Sequence, residues 1–166
     1  MNIVTETDRL VLRTWEPEDA AAAFLLWGDP EVMRFVGTPL DSVEAAGSAL
    51  RRGIAAQERF GFCLWAVAEK ATASVIGCCG FHPVDDDAAL ELVYHFIPCR
   101  WRQGFATEAA AACVTIAFGK LNRRRLVAYT QPGNSASERV LRKLGFSYKG
   151  MVEYQGSLER LHELQR

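Results

Sequence analysis

Chemistry concentrates in two short stretches of the chain. The first, Phe96-Ile97-Pro98-Cys99-Arg100-Trp101-Arg102-Gln103-Gly104-Phe105-Ala106-Thr107-Glu108-Ala109, joins an expected strand directly to an alanine-rich helix. Gly104 and Ala106 fall where that helix begins. Small side chains there let an anion approach backbone N–H groups without intrahelical partners, and the helix dipole adds roughly half a positive charge. The spacing is not GxGxxG, and no Gly-Lys-Ser/Thr follows, so dinucleotide and nucleoside triphosphate readings lose their strongest support. Arg100 and Arg102 can point toward a bound anion. The structural alternatives are that the small residues only permit close packing and that the arginines are solvated. Glu108, in the first helical turn, stabilises the dipole and needs no functional account.

The second stretch runs from Gln131 through Asn134-Ser135-Ala136-Ser137-Glu138 to Lys143-Leu144-Gly145-Phe146. Ser135 followed three residues later by Glu138 makes a capping box, so either Asn134 or Ser135 starts a helix. Ser137 falls inside the first turn, where serine is a mediocre helix former. Gly145 then ends the helix and Phe146 enters the next strand.

The elements that must position these residues follow from periodicity. Arg9 to Trp15 alternates as a half-buried strand, and Glu16-Pro17-Glu18-Asp19 opens a helix that Gly28-Asp29-Pro30 stops. A second helix is predicted from about Ser42 to Arg59, closed by Gly61. Three strands come next, at 62–68, 74–81 and 90–97, broken by polar runs that include Asp85-Asp86-Asp87. Connections this short suit antiparallel pairing. A helix from about Gly104 to Lys120, a strand at 125–131, a helix at about 135–144 and strands at 146–154 and 157–164 complete the pattern. The expectation is a mixed α/β (α+β) layer architecture of about seven strands and about four helices, one folding unit over residues 1–166 without repeats or a linker.

Composition bounds what this unit does. At 166 residues and 18.4 kDa the chain has room for one ordinary core, and its 49% hydrophobic and 23% charged residues suit a soluble globular protein. With 19 Lys plus Arg against 20 Asp plus Glu, no global field drives it onto nucleic acid or anionic membrane. The most apolar stretch, Ala109 to Phe118, is too short to cross a bilayer, and the acidic residues following Met1 do not resemble a secretory signal, so a cytoplasmic location is expected. The five cysteines, Cys63, Cys78, Cys79, Cys99 and Cys113, form no CxxC pair and no zinc-like spacing with histidine, and are read as reduced and mostly buried, with no metal expected.

In order and combination, Thr7-Asp8-Arg9-Leu10-Val11-Leu12-Arg13, Glu91-Leu92-Val93-Tyr94, Trp101-Arg102-Gln103-Gly104-Phe105-Ala106-Thr107-Glu108-Ala109 and Asn134-Ser135-Ala136-Ser137 running to Lys143-Leu144-Gly145-Phe146 resemble the GNAT acetyltransferase superfamily. The branch is that of the RimJ and RimL ribosomal-protein N-terminal acetyltransferases, and the likeness spans nearly the whole chain. The resemblance implies acetyl-CoA as co-substrate, held between two splayed central strands of a mostly antiparallel sheet. Its pyrophosphate would sit on backbone amides from Arg102 through Gln103, Gly104, Phe105 and Ala106 to Thr107, with Trp101 at the branch's usual tryptophan position. Phe96 and Ile97 would pair through their backbone with the pantetheine arm, and Asn134 would contact that arm through its side-chain amide. Many relatives carry a tyrosine acid where this chain has Leu141, and Ser137 is the branch's substitute.

The implied reaction is acetyl transfer to a primary amine, a protein N-terminal α-amine or a small-molecule amine. An α-amine with a pKa of about 7.7 to 8.0 is roughly a tenth neutral at pH 7, so it demands less of a base than lysine. Glu91 is the candidate base through water, against a reading as a surface carboxylate or structural ion pair. Ser137 is the candidate donor to the leaving thiol, and the backbone N–H of Phe96 or Ile97 the candidate to polarise the carbonyl. Cys99 is the one candidate for an acetyl-cysteine route, disfavoured against direct transfer in a ternary complex because no histidine in the local sequence activates it. His82, His95 and His162 read as core or surface residues rather than catalysts, although His95 alternates with Tyr94 on the central strand and could face the substrate. Trp15, Trp27, Met33, Phe35, Tyr154 and His162 are candidates for the acceptor pocket. A different class, a catalytically silent acyl-CoA-binding or ribosome-associated module, uses the same cradle. Nucleic acid enters only through a ribosomal target, a membrane is not a partner, and a homodimer and a monomer are both open, since members of the resembled family occur as either.

Overall fold

The computed structural model describes residues 2–86 and 89–166; Met1 and Asp87, the last of the expected acidic run, lie outside them. Eight strands form one sheet: β1 (Ile3–Glu6), β2 (Leu10–Arg13), β3 (Leu64–Glu69), β4 (Val75–Pro83), β5 (Ala89–Phe96), β6 (Arg125–Thr130), β7 (Ser147–Tyr154) and β8 (Ser157–Gln165). Their spatial order is β1-β2-β3-β4-β5-β6-β8-β7. Every pair is antiparallel except β5 with β6, whose connection carries a helix. The helices are α1 (Ala20–Trp27), α2 (Pro30–Met33), α3 (Val43–Phe60), α4 (Phe105–Phe118) and α5 (Ser135–Lys143). Among the described residues no helix is long and apolar enough to cross a membrane.

The sheet has one strand more than expected. Residues 3–6 form an edge strand paired only with β2, and their polar, half-exposed pattern lacks the alternation that marks a buried face. The fifth helix is the single turn α2. Asp29, expected only to stop α1, also caps this next turn, its Oδ1 accepting from the N–H groups of Glu31 and Val32, with Pro30 at the first helical position.

Helices cover both faces. On one, Trp65, Val67, Cys79, Phe81, Leu90, Leu92 and Phe96 pack against Phe105, Ala109, Ala110, Cys113 and Ala117 of α4 and Leu141 of α5. The run of alanines keeps the α4 surface small and lets the helix lie close to the strands. On the other face Ala66 and Cys78 meet Ala23 and Leu26 of α1 and Ala46 and Leu50 of α3. Gly77 lies opposite Phe96, and a Cβ there would stand 2.4 Å from the His95 carbonyl oxygen and 2.6 Å from the Phe96 ring. That glycine fixes how tightly the end of β5 seats on β4.

Candidate active site

Among the described residues the parallel pair β5/β6 is joined at three positions, Ala89 with Arg125, Leu90 with Leu126 and Glu91 with Val127. Beyond Glu91 the strands part: β5 continues along β4 to Phe96, and β6 continues along β8 to Thr130. The Ile97 N–H donates to the Ile76 carbonyl at 3.0 Å, which makes Phe96 opposite Gly77 a pair without mutual hydrogen bonds. By antiparallel alternation the backbone N–H groups of Tyr94 and Phe96 therefore face the opening. This corrects the expectation for Ile97, whose amide the protein itself occupies. The Phe96 carbonyl is also engaged, accepting from Trp101 Nε1 at 2.6 Å.

After a short turn over Pro98–Arg100 the chain passes through left-handed conformations at Arg102 (φ 60°) and Gly104 (φ 85°) before α4 begins. The first bond into the helix is from Glu108 N–H to the Gly104 carbonyl at 3.0 Å. Among the described residues, no acceptor meets the six backbone N–H groups from Arg102 to Thr107. Successive amides turned by such a conformation form a concave anion nest, here continuous with a helix N-terminus.

Side chains hold this loop in shape without filling it. Arg9 on the β1–β2 turn donates NH1 to the Gln103 carbonyl at 3.0 Å and Nε to Glu108 Oε2 at 2.7 Å, and lies 4.2 Å over the Phe105 ring. Glu108 also accepts from Thr7 Oγ1 and the Arg9 N–H. Partial burial opposes the Glu108 charge, but the hydrogen bonds from Thr7 and Arg9 outweigh it and hold the carboxyl below its usual range. Glu108 is thus more than a dipole partner. Gln103 Nε2 closes back onto the Cys99 carbonyl at 2.9 Å, and Phe105 is buried, so Phe105 can offer only its backbone. Arg100, expected to face an anion, instead pairs with Glu69 at 3.0 Å. Cys99 is exposed, and the other four cysteines are buried.

Asn134 is the N-cap of α5, its Oδ1 accepting from the Ser137 N–H at 3.2 Å, which leaves the side-chain NH₂ as a donor. The expected Ser135–Glu138 box does not form, because Ser135 is already helical and Glu138 pairs with Arg160 at 3.0 Å. Ser137 Oγ lies 2.8 Å from Tyr94 Oη, so β5 and α5 bring these hydroxyls together. Leu141, one turn on, is fully buried in the core.

Side chains alternate along β5. Tyr94 reaches α5, while Glu91 and His95 face the side of α1, where His95 Nδ1 accepts from Trp27 Nε1 at 3.3 Å. The Glu91 carboxylate accepts from Tyr154 Oη at 2.7 Å and stands 3.6 Å from His82 Nδ1. Tyr154 stacks on Tyr129 with centroids 3.8 Å apart and planes at 5°. Burial and then the adjacent Glu91 charge push the Tyr154 phenol up, so it stays a proton donor to Glu91. Of the other acceptor candidates, Trp15 is buried with Nε1 on the Leu64 carbonyl, Met33 is buried, and His162 is buried against Thr130 Oγ1.

The sequence matches the family described as Acetyltransferase (GNAT) domain over residues 9–147. The chain belongs to the GNAT acetyltransferase family. An uncharacterised N-acetyltransferase, YoaA of Bacillus subtilis, is 34% identical over 151 residues, covering 90% of this chain and 85% of YoaA. Among solved structures, a RimL ribosomal L7/L12 α-N-protein acetyltransferase in complex with coenzyme A superposes with a TM-score of 0.86 at 19% identity, covering 99% of this chain and 98% of that one. RimJ of Mycobacterium smegmatis, in complex with CoA-disulfide, gives 0.82 at 20% identity over 94% and 81%. At such identities these two likenesses speak for the GNAT fold.

Within this GNAT chain, sequence reasoning missed the Arg9–Glu108 clamp and the Tyr94–Ser137 contact. The partners are 99 and 43 positions apart, and no local spacing announces either. The one available signal was that Arg9, Tyr94, Glu108 and Ser137 all lie in the segments that carry the family resemblance.

Proposed function

We propose that this GNAT enzyme transfers the acetyl group of acetyl-CoA directly to a primary amine, a protein N-terminal α-amine or a small-molecule amine, in a ternary complex. The observation that carries the reading is the row of bare amides from Arg102 to Thr107 beside a gap in the sheet. A diphosphate supplies the anionic oxygens that such a nest binds, and an extended amide-bearing arm fits along an unpaired strand edge. Trp101, Arg102, Gln103, Gly104, Phe105, Ala106 and Thr107 form the diphosphate end; Phe96 N–H and the Asn134 NH₂ serve the arm, and Ile97 supports β5.

The reacting carbon then lies deeper, near Tyr94, whose N–H faces the gap and polarises the thioester carbonyl. Acetyl-CoA supplies an activated acyl group with a thiolate leaving group. The amine nitrogen forms the C–N bond, the C–S bond breaks with its electron pair on sulfur, and one amine proton leaves. Glu91 lies ~10 Å along β5 from Tyr94, so it receives that proton through water. Ser137 donates to the sulfur, and its proton is restored from solvent. Glu91 and Ser137 act from opposite faces of the sheet, which suits a nucleophile entering on one side of the carbonyl and a leaving group departing on the other.

The test is calorimetric titration with coenzyme A, followed by an acceptor screen of N-terminal peptides, lysine peptides and small amines that monitors acetyl-CoA consumption. Saturable heat and intersecting double-reciprocal lines are expected. Absence of saturation would sink the proposal, and parallel lines would replace direct transfer with an acetyl-Cys99 route.

A further inference from the structure

We infer that Tyr94 is a positioning residue for the leaving-group donor: its hydroxyl holds Ser137 Oγ and frees the serine proton for the departing thiolate. The inference rests on the proposed role of Ser137 as that donor. Tyr94 Oη stands 2.8 Å from Ser137 Oγ and 3.2 Å from the Ser137 carbonyl oxygen. One phenolic proton therefore has two acceptors within reach, and two hydrogen-bond arrangements share the same heavy-atom positions.

In the first arrangement Tyr94 donates to the carbonyl oxygen while Ser137 donates to Tyr94 Oη, and the serine proton is engaged. In the second Tyr94 donates to Ser137 Oγ, and the serine proton turns into the gap. A neutral thioester sulfur is a poor acceptor and leaves the first in place. A thiolate draws a charge-assisted hydrogen bond, roughly twice as strong as a neutral one, and favours the second. The exchange moves hydrogens only, so it requires no displacement of β5 or α5, and no proton leaves Tyr94. Burial pushes the phenol well above the ordinary tyrosine range, so it remains a donor throughout.

Leu141 adds a second line of support. The α5 position where the resemblance places a tyrosine acid carries a buried apolar side chain, and a phenol instead reaches the first turn of α5 from β5. Because the second arrangement gains only as charge gathers on sulfur, the contribution of Tyr94 belongs to the transition state and not to acetyl-CoA binding.

The experiment compares Tyr94→Phe, Ser137→Ala and the double variant, with kcat counted per coenzyme A-binding site from calorimetric stoichiometry. Tyr94→Phe should lower kcat about fivefold and Ser137→Ala about tenfold, the scale of one hydrogen bond to a charged group, with KM for acetyl-CoA within twofold of the parent. The double variant should be no slower than Ser137→Ala, because Tyr94 has nothing left to orient. A normal kcat for Tyr94→Phe beside an impaired Ser137→Ala overturns the inference and spares the serine assignment. A normal Ser137→Ala overturns the serine assignment itself. A double variant slowed by the product of the single effects shows that Tyr94 acts independently of Ser137, and also overturns the inference.

Discussion

The two sides of the gap between β5 and β6 are built from different materials. Toward α4 and α5 the working groups are largely backbone amides, from Phe96 and from Arg102 to Thr107, and Arg9, Glu108, Gln103 and Trp101 fix their geometry through hydrogen bonds to the chain and to one another. Toward α1 the working groups are side chains, Glu91, Tyr154, Tyr129, His82 and His95, held by mutual contacts. A backbone site depends on loop shape and suits a ligand whose oxygens never change. A side-chain site is rewritten by single substitutions and suits a partner that does. Under the proposed function, the difference teaches that the donor half of the reaction would be encoded in conformation and the acceptor half in side-chain identity.

The largest break in that comparison should come at Glu91. Glu91→Gln keeps an acceptor for the Tyr154 hydroxyl but cannot take a proton, so kcat/KM for the amine should fall about a hundredfold, the scale of a lost general base. Coenzyme A affinity should not move, because Glu91 lies outside the amide nest. The loss should shrink as pH rises toward the pKa of the amine, where more nucleophile is already neutral. A pH-independent loss accompanied by a lower Tm would assign Glu91 a structural role beside Tyr154 and His82.

Arg9 sharpens the opposite side. Arg9→Met removes the bonds to Gln103 and Glu108 together with the guanidinium that lies over the Phe105 ring, so the loop loses preorganisation and the Kd for coenzyme A should rise roughly fivefold, with kcat at saturation preserved. Glu108→Gln separates this clamp from a direct phosphate contact. If Arg9 acts by holding the loop, Glu108→Gln weakens coenzyme A binding as well. If Arg9 instead touches phosphate, releasing it from Glu108 tightens binding, and the clamp reading fails.

The same contrast explains what could be read from the chain beforehand. Seven strands and four helices were legible because alternation and helical spacing are local, and the nest was legible because small residues at a strand-to-helix junction are local too. β1 was not, since Ile3–Glu6 is a half-exposed edge strand whose form comes from β2. The acceptor side was nearly silent. The contact of Tyr154 with Glu91 spans 63 positions, and only the register of β5, β6, β7 and β8 brings the pair together. Ile97 failed for a related reason: which of two adjacent amides faces the opening depends on the pairing phase of β5 with β4, which composition does not specify.

The smallest effect on turnover should come from His95, where the side-chain half of the site meets stability. Burial, with a lesser contribution from His82, lowers the His95 pKa from 6.5 to about 4. Trp27 Nε1 donates to His95 Nδ1, an arrangement that requires that nitrogen unprotonated. Above pH 6.5 the imidazole is neutral in both folded and unfolded chains and gives no pH dependence. Between 6.5 and about 4 the unfolded chain binds a proton that the folded chain refuses, so stability falls with falling pH, by at most about 3 kcal/mol. Below about 4 both forms are protonated and this slope ends. His95→Gln offers the Trp27 donor an amide oxygen and does not titrate. Its stability by denaturant titration should therefore drop less between pH 7 and pH 5 than that of the parent, the residual slope reflecting His162, whose pKa burial also lowers. Equal slopes in the two proteins would show that His95 gains a proton as readily folded as unfolded.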